Sequence, residues 1–253
     1  MIKPLLSIGD LLRASWDQFM RDWTDTLEVS IWFLVPPLLL IAAYLIGRPL
    51  SSSLSAILMV VAALAGVILT IRISIRLTQF VLAKSRDPKA KAPSLAVPWA
   101  LFFSYLWLSV LQSLATLGGA LVLVLPGIWL AIGLLFGRLF LLEDGIKGSQ
   151  ALSASMALVK GRWWPTFWRV VIPGAVFLIL TTLVVELLSS VIGLLAGPER
   201  VALLSDLNTS GDFSHLLAGT TYQYFMQSLG EVLFLPLFLA WQVKLFHSLK
   251  DTK

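Results

Sequence analysis

Apolar residues run along this chain in long unbroken blocks rather than in alternation. The blocks cover Leu27–Ile46, Leu54–Ile73, Leu106–Leu125, Ile128–Leu142, Val170–Leu195 and Thr221–Leu245. Several approach the ~20 residues that a helix needs to cross a ~30 Å hydrocarbon layer. Barrel strands would alternate lipid-facing with lumen-facing residues, so the pattern predicts helices. Ahead of the first block, Ile8, Leu11, Leu12, Ser15, Trp16 and Phe19 recur at helical spacing, opposed by Asp10, Arg13, Asp17, Gln18 and Arg21. That stripe predicts an amphipathic helix over about 7–21 in the membrane interface.

Pro126 and Gly127 separate the third block from the fourth. Proline presets φ and glycine supplies φ > 0, so a turn is expected there; the alternative is a kink inside a helix that starts near Gly118. The expected fold is an all-α, polytopic membrane bundle of six transmembrane helices, forming one integral membrane domain over 1–253.

Composition supports this reading. Of the 253 residues 58% are hydrophobic and 13% charged, whereas soluble domains carry about 25% charged residues. Mean hydropathy is +0.87. No cleavable signal is expected, because charges interrupt the apolar positions of the first residues. The chain has no cysteine, which removes disulfides, thiolate chemistry and cysteine-ligated metals.

The net charge of +5 is scattered around the apolar blocks rather than gathered into a nucleic-acid patch. With the N-terminus in the cytoplasm, all of the 19 Lys and Arg residues except Arg48 and Arg200 fall on the inner side or at inner helix ends. Cationic side chains favour that side, and an odd number of crossings would destroy the bias. A prokaryotic inner-membrane protein with both ends cytoplasmic is therefore expected. Trp16, Trp23, Trp99, Trp163, Trp164, Trp168 and Trp241 lie near proposed inner boundaries, and Trp129 marks the outer side, unless these rings only fill helix contacts.

An echo runs through the chain. Aligning Ser15 with Ser155, a shift of 155 − 15 = 140 residues, also matches Leu12, Ala14, Trp23 and Thr26 with Leu152, Ala154, Trp163 and Thr166. Two parallel repeats are expected, each an interfacial helix (7–21 and 146–160) leading into a helical hairpin, unless any basic-aromatic entry helix would look like this.

The stretch "LPGIWLAIGLLFGRLFLLEDGIKGSQALSASMALVKGRWWPTF" runs Pro-Gly, a span, an acid, a small-residue linker, Ala-x-x-x-Ser, Gly-Arg and aromatics. It resembles the membrane domain attached to some glycerophosphodiester phosphodiesterases, and the related stand-alone YciC-like inner-membrane proteins. The resemblance implies a six-span helical domain. It also implies that Pro126, Gly127, Glu143, Ala151, Ser155, Gly161 and Trp163 are structural signature residues. Phosphodiesterase activity in that family belongs to a separate soluble barrel that these residues do not include, so it does not carry over.

Little else suggests chemistry. HExxH, GxSxG and phosphate-loop patterns are absent, and His215 and His247 fall on opposite sides of the membrane in this topology. Asn208-Thr209-Ser210 fits a glycosylation triplet that a bacterial setting would void. Neither an enzyme nor a cofactor or metal is expected.

Charges in or near the spans are the remaining candidates, because each costs about 2.5–3.5 kcal/mol at the bilayer centre on insertion scales. Arg72 and Arg76 share a helix face near the inner boundary; with Arg169 they form a candidate lipid or anion site, though water would satisfy them equally. Arg138 stands ten residues beyond the expected turn, about 15 Å along its helix. It can snorkel inward past Glu143, pair with Glu231 or Glu186, or serve a ligand or proton path. Pro36, Pro37, Pro173 and Pro236 would kink their helices. Two functions follow: a non-enzymatic domain contacting lipid headgroups or an envelope partner, or a lipid or solute transporter coupled through Glu186 and Glu231.

Overall fold

The computed structural model describes residues 5–47, 49–91, 96–196 and 213–252. Among them there is helix and no strand. In chain order the helices are α1 (Ile8–Arg21), α2 (Trp23–Ser30), a 3-10 turn (Ile31–Leu34), α3 (Val35–Gly47), α4 (Ser52–Arg86) and α5 (Trp99–Val122). They continue as α6 (Val124–Leu134), α7 (Gly137–Glu143), α8 (Gly148–Val159), α9 (Trp163–Ala196) and α10 (Phe213–Asp251). Six stretches are long and apolar enough to cross a membrane: Trp23–Gly47, Ser52–Arg86, Trp99–Val122, Val124–Glu143, Trp163–Val191 and Gln223–Asp251. This is the helical complement of a multi-pass membrane protein.

Local sequence explains several boundaries. Ser7 caps α1 by accepting the Asp10 amide at 3.1 Å and donating to its carboxylate at 2.7 Å. Pro36 and Pro37 sit in the first turn of α3, where missing amides cost little, and the chain enters them through the 3-10 turn. Pro173 and Pro236 are accommodated within continuous α9 and α10.

The turn expected at Pro126-Gly127 is not there. The chain reverses at Leu123 alone, extended at φ −162° and ψ 150°, and Pro126-Gly127 falls in the first turn of α6. Proline suits that position, where a helix leaves amides unbonded anyway. Gly127 serves a different purpose: a Cβ there would lie 2.8 Å from the Cα of Ala120, so the glycine lets α6 touch the α5 backbone.

The described residues divide into two units. One comprises Met1–Thr26, Ser74–Phe177 and Pro236–Lys253. Its post is the end of α10, where Ala240, Trp241, Val243, Leu245, Phe246 and Leu249 are all buried, so most of this helix's circumference is covered. Phe246 stacks on Phe136 at 5.9 Å and meets Phe140 edge-on at 5.0 Å. In α1, Leu11, Ser15 and Gln18 are buried. Gln18 was expected on the polar face; instead its amide donates to the Val81 carbonyl at 3.4 Å.

The other unit comprises Leu27–Ile73 and Leu178–Leu235. Small residues bring its helices together, with Gly230 facing Thr181 and Val185, and Gly66 facing Pro36. Thr70 bonds the Gly66 carbonyl at 2.9 Å and meets the Tyr224 hydroxyl at 3.3 Å. Its outward side chains, including Ile57, Val61, Leu64, Leu183 and Leu187, are exposed and aliphatic, as lipid-facing surfaces are.

The echo persists in the helix boundaries. α1 and α8 begin at Ile8 and Gly148, α2 and α9 at Trp23 and Trp163, which keeps the offset of Ser15 from Ser155 in both pairs. Ser15 and Ser155 are both buried, as are Thr26 and Thr166.

Candidate functional site

The densest polar cluster forms where α4, α7 and α10 end. Glu143 closes α7 with its side chain only 5% exposed, and it gathers Arg86 at 2.8 Å, His247 Nε2 at 2.9 Å and Lys250 at 3.2 Å. An ionised carboxylate only accepts, so the His247 Nε2 carries the hydrogen in this contact. Lys250 also reaches Asp144 at 2.7 Å and lies over the Phe246 ring. Two carboxylates are thus matched by two permanent cations, which satisfies the buried acid and ties three helix ends together. The sequence marked Glu143 as a signature residue but missed its partners. The usable signal was His247 and Lys250, one helical turn apart at the end of the last apolar block.

A second cluster surrounds Asp22, which follows α1. Lys84 lies 3.7 Å from Asp22 and 2.8 Å from Asp25, and Arg21 bonds Asp22 at 3.0 Å. Hydrogen bonding to Asp22 pushes the Arg21 guanidinium above its ordinary value, with burial acting the other way. Beside it lies a cavity of about 10 Å³ lined by Gln18, Asp22, Phe80 and Pro236, room for roughly one water.

Among the signature residues, Ala151 and Ser155 lie on α8 and Gly161 follows it. The α6–α7 helix breaks at Leu135–Phe136, which frees backbone groups, and buried Ser155 satisfies both sides of the break. Its hydroxyl accepts from the Phe136 amide at 3.1 Å and donates to the Gly133 carbonyl at 2.6 Å. Buried Ala151 lets α8 approach Gly137, whose Cβ would meet Leu152, and a Cβ on Gly133 would strike the Met156 sulfur. α8 therefore lies along α6 and α7, with Leu158 and Val159 buried as well. Gly161 holds φ +80° between Val159 and Arg162, whose amide returns to the Val159 carbonyl at 2.9 Å. That is a type II turn, whose third position needs positive φ.

Against this turn opens an apolar groove of about 460 Å³, lined by Trp129, Gly133, Met156, Ala157, Lys160 and Trp163. The Trp163 indole donates to the Trp129 carbonyl at 3.4 Å. Trp129 was expected to mark the face opposite Trp163. The two lie side by side instead, because α8 folds back along α6.

No family model, curated protein or solved structure matches the chain. The site must be read from its chemistry: apolar walls, two indoles and one exposed ammonium.

Of the arginines expected to form a cationic site, Arg76 is buried at 8% exposure and Arg72 half-buried. Arg169 donates to the backbone carbonyls of Leu6 at 2.7 Å and Pro165 at 3.0 Å, while the Leu6 amide bonds Ser248. Arg169 therefore clamps the N-terminal segment. Arg162, the arginine of the Gly-Arg pair, bonds the hydroxyl and carbonyl of Thr252.

Arg138 is not mid-helix. Its span starts at Val124 rather than Ile128, leaving Arg138 five residues from Glu143, about 7 Å from the helix end. It is exposed, with its guanidinium 5.5 Å from the centre of the Tyr105 ring. Glu186 is exposed on α9 rather than turned inward, and Glu231 is half-buried on α10. Among the described residues no group of three or more His, Asp or Glu side chains could hold a metal. The His215 side chain, Asn208, Arg48 and Arg200 lie outside what is described.

Proposed function

We propose that this chain is a non-enzymatic protein of a prokaryotic inner membrane, with both ends cytoplasmic, that holds membrane lipid in the groove between α6 and α8. The observation that carries the reading is the groove's make-up. Trp129, Met156, Ala157 and Trp163 offer acyl-chain contacts, and Lys160 stands exposed at one end where a phosphodiester would lie. The cationic bias of the sequence supports the orientation. The resemblance to phosphodiesterase-linked membrane domains and YciC-like proteins implies a membrane domain without an attached activity.

Native mass spectrometry of the purified protein with phosphatidylglycerol tests this. Retained phosphatidylglycerol should fall at least several-fold in Ala157→Trp, which fills the groove, and fall less in Lys160→Glu, which repels only the headgroup. Equal retention in wild type and both variants rejects the groove as the lipid site.

A further inference from the structure

The third and fourth apolar helices meet in a turn that no other link resembles. From Leu117 to Gly137 the chain has no charged, hydroxyl or amide side chain. The links between the other candidate spans all carry charge: Arg48 after α3, Asp87 and Lys89 after α4, Asp144 through Arg162 between α7 and α9, and Glu199 and Arg200 after α9. At the α5–α6 tip Leu121, Val122, Leu123, Val124 and Leu125 are 65–88% exposed. Five bare aliphatic side chains in succession suit hydrocarbon, not water or headgroups.

The depth of that tip follows from contacts within its own unit. Trp129 adjoins Trp163 and shares the groove with Lys160 and Gly161. That link also carries Arg162, which is bonded to Thr252 next to the chain end. A link carrying both Lys160 and Arg162 belongs at the membrane surface. Trp129 therefore lies at the surface too. From Trp129 to Leu123 is six residues, about 9 Å of helix against the ~30 Å of hydrocarbon a crossing must traverse.

The backbone is arranged for a tip without water. The reversal needs one non-helical residue, whose amide returns to the Gly119 carbonyl at 3.1 Å and whose carbonyl accepts from Gly127 at 3.3 Å. Pro126 contributes no amide to satisfy. Gly119 and Gly127 let the helices touch, the mode of association that works in lipid.

We infer that α5 and α6 form a re-entrant hairpin whose Leu121–Leu125 tip is anchored among the acyl chains of the leaflet nearest Lys160, Arg162 and the chain ends. It enters obliquely, with the α5 stripe Trp99, Phe103, Trp107, Val110 and Leu114 laid against lipid. The remaining four candidate helices make the crossings, and the two chain ends still share a face.

Because the chain lacks cysteine, single-cysteine labelling tests this directly. Sealed vesicles of each orientation carrying Ser51→Cys, Gln150→Cys, Leu123→Cys or Leu125→Cys would be treated with a membrane-impermeant maleimide. Ser51→Cys and Gln150→Cys should label from opposite faces. Leu123→Cys and Leu125→Cys should label from neither face, and fully after SDS. A bimane on Cys at 123 should be quenched by spin-labelled lipid placed only in the leaflet on the Gln150 side. Labelling of either tip cysteine from the Ser51 face, or quenching from that leaflet, overturns the inference. Labelling from the Gln150 face equally overturns it, since the tip would then lie outside the bilayer. The tip side chains are largely exposed, so these variants should leave the fold intact, and failure of lipid binding in the groove would not alter any of these outcomes.

Discussion

The chain reverses twice between α5 and α8, and the two reversals use glycine for opposite purposes. At the α5–α6 tip, Gly127 keeps ordinary backbone angles and is needed because it is small, with Ala120 occupying the place of its missing side chain. Between α7 and α8, Gly145 and Gly148 stand at φ +71° and +58° with open space around them, and are needed because they bend. One reversal is wholly apolar and one residue long; the other carries Asp144 and Lys147. A Pro-Gly pair in sequence says that glycine is required, but not which of these two requirements it meets.

Substitutions can break this contrast. The largest effect is expected at Gly127→Val, where branched bulk must push α6 off the α5 backbone at a cost of about 3 kcal/mol. Thermal unfolding in micelles, followed by tryptophan emission, should show it as a clear fall in Tm; an unchanged Tm would mean the helices do not pack so closely. Next comes Ser155→Ala, which orphans the Phe136 amide and Gly133 carbonyl in a buried setting and should cost about 2 kcal/mol. Ser15→Ala is its control. Ser15 bonds only the Leu11 carbonyl of its own helix, so its loss should cost less than about 0.5 kcal/mol despite equal burial. Equal losses would refute the distinction between the two echoing serines. Gly145→Ala should fall between the two serine variants, at about 1 kcal/mol from positive φ alone, because no neighbour crowds the new methyl.

The echoing helices show how far sequence reading reached. The shared offset of α1 and α8 was legible because matched residues and helix starts are both local properties of the chain. What each serine does was not legible. Ser15 finds its own helix, whereas Ser155 finds a break in α6–α7 that only appears once α8 folds back along it. The Glu143 cluster was half legible for the same reason. Its acid stood out in the sequence, but His247 and Lys250 lie 104 and 107 residues away, and nothing in their spacing names a partner.

Hydropathy blocks alone determined that this is a helical, multi-pass membrane protein, because hydrocarbon thickness sets a length that composition either fills or does not. Apolarity does not record direction or depth. Whether a block crosses or turns back, which arginine clamps a strand of backbone and which stays solvated, and which tryptophans meet were decided by contacts between residues far apart in the chain. Trp129 shows the difference best. Its sequence position placed it opposite Trp163, and the packing of α8 against α6 set the two side by side.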